Sequence, residues 1–359
     1  MNAPFRVDID RRVELASLAD EGVAREIEAF VAGQAQSTPF HRPAWVSAVA
    51  RATGNDALML VARAGGMIEG ILPLNAIHSP IFGRLLASSG FAVGGGVLMA
   101  EGADPAPLFA ALEEVATRWS CPSAELRGGP VPAGRAGWVV KDRSHCGFVR
   151  PLAADDEAEL LAIPRKQRAE VRKGLAADLI ITVGSGKSDR AAHYAVYAQS
   201  VRNLGTPVFP RSLFAQVLDA FGPDADILTV WEGQAPVASV LSLYHAGAVM
   251  PYWGGGTWEA RRLRANDRMY FELMRHARSR GCDRFDFGRS KIDSGAHDFK
   301  RNWGFTPEPL SYGVWTAAGA AKRDADPTSA AHSRRIDLWK KLPLPLANAI
   351  GPWIARGLG

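Results

Sequence analysis

"DILTVWEGQAPVASVLSLY", residues 226–244, is two β-prone runs around a glycine turn, and the chain contains a second stretch built the same way. That stretch is "ALMLVARAGGMIEGILPLN", residues 57–75. In both, an aliphatic strand meets a turn with glycine and returns as a second strand, the pattern of a hairpin. Each is followed by a triple glycine, Gly94–Gly96 or Gly254–Gly256, and then by an amphipathic helix, Ala106–Trp119 or Asn266–Arg280. In the second helix Met269, Leu273, Met274 and Ala277 recur at helical spacing. Each copy closes on a cysteine turn and a short strand, "CPSAELRGG" from Cys121 and "CDRFDFGRS" from Cys282. Self-similarity of this kind signals duplication, and the order strand, hairpin, glycine-bearing strand, helix, strand predicts mixed α/β layers.

The second copy carries additions. A helical segment, Asp155–Leu175, introduces it, and helices near Asp189–Asn203 and Arg211–Phe221 precede its hairpin. It ends on "FDFGRSKIDSGAHDFKRNW", residues 285–303, where charges and aromatics alternate around Gly288 and Gly295. A surface loop does not need the aromatics and a core strand does not want the charges, so the second half is expected to be the working half.

Bulk properties set limits. A chain of 359 residues is long for one core, and 47% hydrophobic content is ordinary for a globular protein. The net charge of +5 suits an anionic partner without naming one. Three widely spaced cysteines form neither a disulfide framework nor a zinc knuckle, so a cytoplasmic protein without a metal is expected. "MNAPFRVDIDRRVE" has no apolar signal core, and no apolar run approaches the ~20 residues of a membrane span.

"VGSGKS", residues 183–188, lacks a phosphate loop's first glycine, whose place is held by Ile181, so Ser188 or Asp189 is expected to cap a helix instead. The first glycine triad reads as a bulge or strand end; the second, beside Tyr252 and Trp253, reads equally as that or as a ligand-facing wall. "PRKQRAEVRKG", residues 164–174, sets Arg165, Arg168 and Arg172 along one helix with Glu170 as the single acid, a candidate anion site. There is no Gly-x-Ser-x-Gly elbow, and the eight histidines lack ligand spacing.

A family resemblance rests on "FHRPAW" (40–45), "IPRKQRAEVRKG" (163–174), "SVRNLGTPVFP" (200–210), "YWGGG" (252–256), "FDFGRSK" (285–291), "FKRNWGF" (299–305) and "LWKKLPLPLANAIGPWIARGLG" (338–359). With these the chain resembles the FemAB-like proteins of the GNAT superfamily, in particular the subgroup associated with exosortase/PEP-CTERM exopolysaccharide systems. The resemblance implies two GNAT-like halves, 1–150 as scaffold and 151–320 as catalytic half, with 321–359 as linker and amphipathic tail. It implies transfer of an acyl or aminoacyl group to an amine or hydroxyl of a cell-envelope or exopolysaccharide precursor. Two rivals are an N-acyltransferase with a fatty acyl donor in ceramide-like lipid synthesis and a catalytically silent glycolipid- or partner-binding protein. Fem transferases use aminoacyl-tRNA, but no long heptad-bearing arm is legible here. "TWEARRLRAND" (257–267) does not reproduce the Arg-x-x-Gly-x-Gly/Ala loop of coenzyme A binding. The donor therefore stays open among acyl-CoA, acyl carrier protein and aminoacyl-tRNA.

The resemblance places Lys300 at the Fem-type "FK" lysine, a candidate for stabilising an oxyanion. Asp286 is the candidate for orienting or deprotonating the acceptor, and Arg289 and Ser290 for holding an anionic part of a small-molecule or lipid-linked substrate. Arg168, Arg172, Arg202, Tyr252, Trp253 and Asn266 complete the binding candidates. In the tail, Trp339, Leu342, Leu344, Leu346, Ile350, Trp353 and Ile354 lie among Lys340, Lys341 and Arg356. This composition suits either an anionic membrane interface on the cytoplasmic side or packing on the protein's own core.

Overall fold

The computed structural model describes residues 5–6, 11–321 and 336–359 of the chain. The polar segment 322–335, read above as a linker, lies outside the described residues. The chain divides into two compact units, residues 1–143 with 310–326 and 354–359, and residues 144–309 with 327–353.

In the first unit β1 (Phe5–Arg6), β2 (Arg11–Ala16), β3 (Asp56–Ala64), β4 (Met67–Ser79) and β5 (Gly83–Ser88) pair antiparallel in that order, with β6 (Leu98–Met99) beside β4. The β3–β4 hairpin closes on Gly65 and Gly66, both at positive φ, which a tight two-residue turn requires. Helices α1 (Glu21–Ala32) and α2 (Pro43–Thr53) precede β3, and α3 (Ala106–Arg118) follows β6. β5 then pairs parallel with β7 (Ser123–Arg127) at only two positions, Leu86–Ala124 and Ala87–Glu125. Leu108, Leu112 and Val115 of α3 fill the core beneath this sheet.

The second unit repeats the plan. After β8 (Trp138–Pro151), α4 (Asp156–Ala162), α5 (Arg165–Ala176), β9 (Ile180–Gly184), α6 (Lys187–Leu204) and α7 (Arg211–Phe221), the hairpin is β10 (Ala225–Glu232) and β11 (Ala235–His245), turning at Gly233. β12 (Ala248–Gly256) pairs antiparallel with β11; α8 (Glu259–Leu263) and α9 (Ala265–Ser279) follow. β13 (Arg284–Lys291) then joins β12 in parallel, again at two positions only, Ala248–Arg284 and Val249–Phe285. α10 (Gly295–Asn302) leads to β14 (Glu308–Thr316). β14 pairs with β7 of the first unit, while residues 145–151 of β8 pair with β13 of the second. The predicted α/β fold with a duplicated plan is the one observed.

Two local expectations are corrected. The helical segment 155–175 breaks into α4 and α5, because Pro164 holds Ile163 extended (φ −76°, ψ 131°). Gly94–Gly96 lies in a loop after β5 rather than on a strand, whereas Gly254–Gly256 ends β12, so the two triads are not equivalent. The second triad is explained by packing. A Cβ on Gly254 would meet Val240 at 2.9 Å, one on Gly255 would meet Ser200 Oγ at 2.2 Å, and one on Gly256 would meet Asn266 Oδ1 at 2.5 Å. At "VGSGKS", Asp189 accepts the Gly186 N–H at 2.9 Å, which caps α6 as the sequence implied.

The contact of β12 with α6 yields a test. Gly255→Ala should destabilise the protein by about 1–3 kcal/mol through overpacking, and Ser200→Gly in the same chain should restore part of the loss. Denaturant midpoints of the two single variants and the double variant check this. Simple additivity would show that the close approach is unimportant.

Candidate active site

β12 and β13 start as neighbours and then part. The ladder stops after Val249–Phe285; β12 stays with β11 as far as Gly256, while β13 follows β8. A wedge therefore opens between Pro251–Gly256 on one side and Asp286–Gly288 on the other. Both walls are irregular. On β12, Leu241 faces Trp253 and Ser242 faces Pro251, so Tyr252 is the extra residue of a bulge. On β13, the register with β8 jumps between Asp286–Val149 and Arg289–Gly147, and Gly288 sits at φ +67°. Only glycine adopts that conformation without strain.

The bulge at Gly288 is held from both sides by opposite charges. Asp286 Oδ1 accepts the Gly288 N–H at 2.7 Å. Lys300 Nζ, from α10, donates to the carbonyl oxygens of Gly288 at 3.3 Å and Arg289 at 2.9 Å. The ammonium also lies 5.3 Å from the Phe148 ring centroid and 5.9 Å from that of Phe287. Lys300 reaches this place because Ser294 caps α10, its Oγ accepting the His297 N–H at 3.2 Å, and because Gly304 (φ +85°) turns the chain after it. Trp303, fully buried among Tyr270, Phe287 and Phe299, anchors the helix.

This environment moves both charges towards neutrality. Burial pushes Asp286 up to about 6, against the pull of the Gly288 N–H and Lys300. Burial brings Lys300 down to about 8, against the pull of Asp286. At neutral pH Asp286 is mostly a carboxylate and Lys300 mostly an ammonium, each within about a unit of changing state. An ammonium has three N–H donors, and the two backbone carbonyls take two of them. Nearby, Ser290 Oγ and Trp303 Nε1 are buried without hydrogen-bond partners. Such atoms usually mark a place for water or ligand.

The remaining candidates divide. Tyr252 is partly exposed on the β12 wall, whereas Trp253 is buried against Phe209 and Phe214 and supports that wall from behind. Asn266, at the start of α9, lies over Gly256, its Oδ1 buried without a partner. The expected arginine stripe is not a free one. Arg168 donates to the carbonyls of Leu161 and Ile163, left over where α4 ends, at 2.9 Å each. Glu170 pairs with Lys173 and Arg264, and Arg172 is exposed. Arg202 is drawn away to the carbonyl of Lys340 at 3.1 Å.

One group went unread in the sequence. Asp267 on α9 receives a 2.5 Å hydrogen bond from Gln167 of α5, and burial pushes it up to about 6. In sequence it looks like an ordinary first-turn acid, and nothing local signals its burial. A cavity of about 910 Å³ elsewhere in this unit is lined in part by Asp156, Arg275 and Arg278, and Asp156 pairs with both arginines. Among the described residues no cluster of three or more His, Cys, Asp or Glu could hold a metal ion.

The corresponding place in the first unit is filled by its own chain. There Gly96 packs so closely that a Cβ would lie 1.9 Å from the Gly128 carbonyl oxygen, and one on Gly129 would lie 2.3 Å from that of Val97. The loop carrying Gly94–Gly96 thus occupies the region after β7.

Comparison with known proteins agrees with this geometry. Residues 165–301 match the family described as an acetyltransferase (GNAT) domain. No curated protein matches the sequence significantly. Among solved structures, FemX is similar over 81% of this chain and 95% of its own, with a TM-score of 0.63 at 16% identity. The C-terminal domain of a putative lysylphosphatidylglycerol synthetase from Agrobacterium fabrum covers 84% and 94%, with a TM-score of 0.55 at 14% identity. A tandem GNAT protein from the clavulanic acid biosynthesis pathway covers 87% and 100%, with a TM-score of 0.54 at 14% identity. Residues 165–301, which include both walls of the wedge, are thus similar to an acetyltransferase (GNAT) domain, and the chain shares its fold with FemX and with a tandem GNAT protein.

Proposed function

We propose that the protein transfers an activated acyl or aminoacyl group to an amine or hydroxyl of a cell-envelope or exopolysaccharide precursor, at the wedge between β12 and β13. The observation that carries this reading is the pairing of Asp286 and Lys300 across the Gly288 bulge. Transfer requires a base for the acceptor's proton and a cation for the oxyanion that forms as the nucleophile adds to the acyl carbonyl. Asp286 takes the proton from the attacking amine or hydroxyl. Lys300 turns its remaining N–H towards the oxyanion; when the intermediate collapses, the bond to the donor's leaving group breaks. Fixed donors of this kind stabilise the transition state by about 3–4 kcal/mol each. Arg289 and Ser290 hold an anionic portion of the substrate, with Tyr252 and Asn266 along the opposite wall and Arg172 on the exposed face of α5. The donor is acyl-CoA, an acyl carrier protein or aminoacyl-tRNA. A lipid-linked acceptor is supported by the likeness of fold to a lysylphosphatidylglycerol synthetase domain.

The test is transfer of radiolabel from each of the three donor classes to extracted envelope lipids and soluble precursors, by wild type and by Lys300→Met. Wild-type transfer should fall at least about 100-fold in the variant, the usual effect of removing an oxyanion donor. Its melting temperature should stay within about 5 °C, since removing a buried charge offsets the two carbonyls left unpaired. A folded variant with near-normal turnover would exclude Lys300 from the chemistry.

A pH profile gives a second test. Activity should rise as Asp286 ionises through about 6 and fall as Lys300 loses its proton through about 8. Asp286→Asn should remove the acidic limb and move the basic one to lower pH, because Lys300 loses the pull of the carboxylate. A wild-type profile flat from pH 5 to 9 would contradict both roles.

A further inference from the structure

The C-terminal helix, Leu344–Ala355, is amphipathic in the inverted sense. Its small residues face the protein: Ala347 is buried, and Gly351 lies so close to Val208 that a Cβ would sit 3.0 Å from the Val208 backbone N. Its large apolar residues face out. Leu346, Ile350 and Trp353, at i, i+4 and i+7, are 48%, 37% and 50% exposed. A helix packed on a protein in water ordinarily shows the opposite arrangement.

The surroundings extend the patch and give it a sign. Leu338 and Leu204 are also strongly exposed. Leu204 adjoins the segment that receives the tail, since Arg202 donates to the Lys340 carbonyl and a Cβ on Gly205 would lie 2.5 Å from Ile336. From 338 to 353 the chain carries Lys340 and Lys341, both exposed, and no acidic residue. The nearest acid in sequence, Asp337, makes a long, exposed ion pair with Lys340 at 3.9 Å. No helix among the described residues is long and apolar enough to cross a membrane.

We propose that this face is a membrane-docking surface that lies in the plane of an anionic bilayer. Leu346, Ile350, Trp353, Leu338 and Leu204 enter the acyl boundary, and Lys340 and Lys341 meet the headgroups. Charge complementarity selects this occupant over an apolar protein groove: a short apolar stripe or two lysines alone binds weakly, and the pair of signals holds. The surface stands independently of the acyl-transfer reading, because it is read from a helix that carries none of the wedge residues.

The experiment is co-sedimentation of the full chain with vesicles, without any acyl donor. Wild type should bind vesicles containing about 30% phosphatidylglycerol at least ten-fold better than vesicles of phosphatidylcholine alone. Ile350→Asp with Trp353→Asp should lower binding to the anionic vesicles by roughly ten-fold or more with the melting temperature unchanged, because both side chains point outward. Leu346→Glu, a turn away, gives an independent reading. Lys340→Glu with Lys341→Glu should abolish the preference for anionic lipid. Binding by the folded double aspartate variant equal to wild type would overturn the proposal. So would a wild type that does not sediment but doubles in mass by light scattering, with the doubling abolished by the same variant; the face would then join two copies of the chain. Since no turnover is measured, a failure here leaves the chemistry untouched, and a failure of the chemistry leaves this result standing.

Discussion

The wedge of the second unit depends on one peptide unit being held open. Gly288 sits in a left-handed conformation inside a β-strand, where the ladder would otherwise continue. Its N–H is taken by Asp286 and its carbonyl by Lys300, so two opposite charges meet at one bulge. The same bonds bring the charges into a partly dehydrated place, and their protonation equilibria shift inward as a result. Structure and chemistry are one arrangement at this point: the groups that shape the strand are those proposed to act.

Duplication explains why the arrangement occurs once. Both units have a parallel strand pair that stops after two residue pairs, so both generate a wedge. In the first, glycines let the loop at Gly94–Gly96 press onto the backbone at Gly128 and Gly129. In the second, the glycines of β12 admit α6 and α9 from the flank, and the wedge is left to the bulges. Similar composition in the two triads therefore serves different packing.

The hairpins, both later helices and the duplicated order were legible because each leaves a periodic trace along the chain. Leu108, Leu112 and Val115 on α3, and Met269, Leu273 and Ala277 on α9, mark buried faces that no other conformation would align. The segment 285–303 stood out because charge is costly among aromatics, and the family resemblance pointed to Lys300 within it. What could not be read depends on contacts distant in sequence. Arg168 looks like part of a basic stripe until the end of α4 is seen to need its donors. Arg202 looks free until the tail arrives 138 residues later. Asp267 becomes unusual only when Gln167, 100 residues away, packs over it. The break at Pro164 was readable in principle, since proline restricts the residue before it, but helical periodicity on both sides concealed it.

The path of β14 has a consequence for synthesis. β7, at residues 123–127, finds its antiparallel partner at Tyr312–Thr316, beyond residues 144–309, the main segment of the second unit. A nascent chain therefore emerges with the first unit's sheet incomplete, its β7 edge open, while residues 144–309 are still being made. The second unit has all its strands once Lys291 is out, and its core residues Trp303 and Phe305 follow before Tyr312 is made. Vectorial folding, which favours the N-terminal domain in most two-domain proteins, is here turned round: the earlier half waits on the ribosome for a strand encoded near the end of the message.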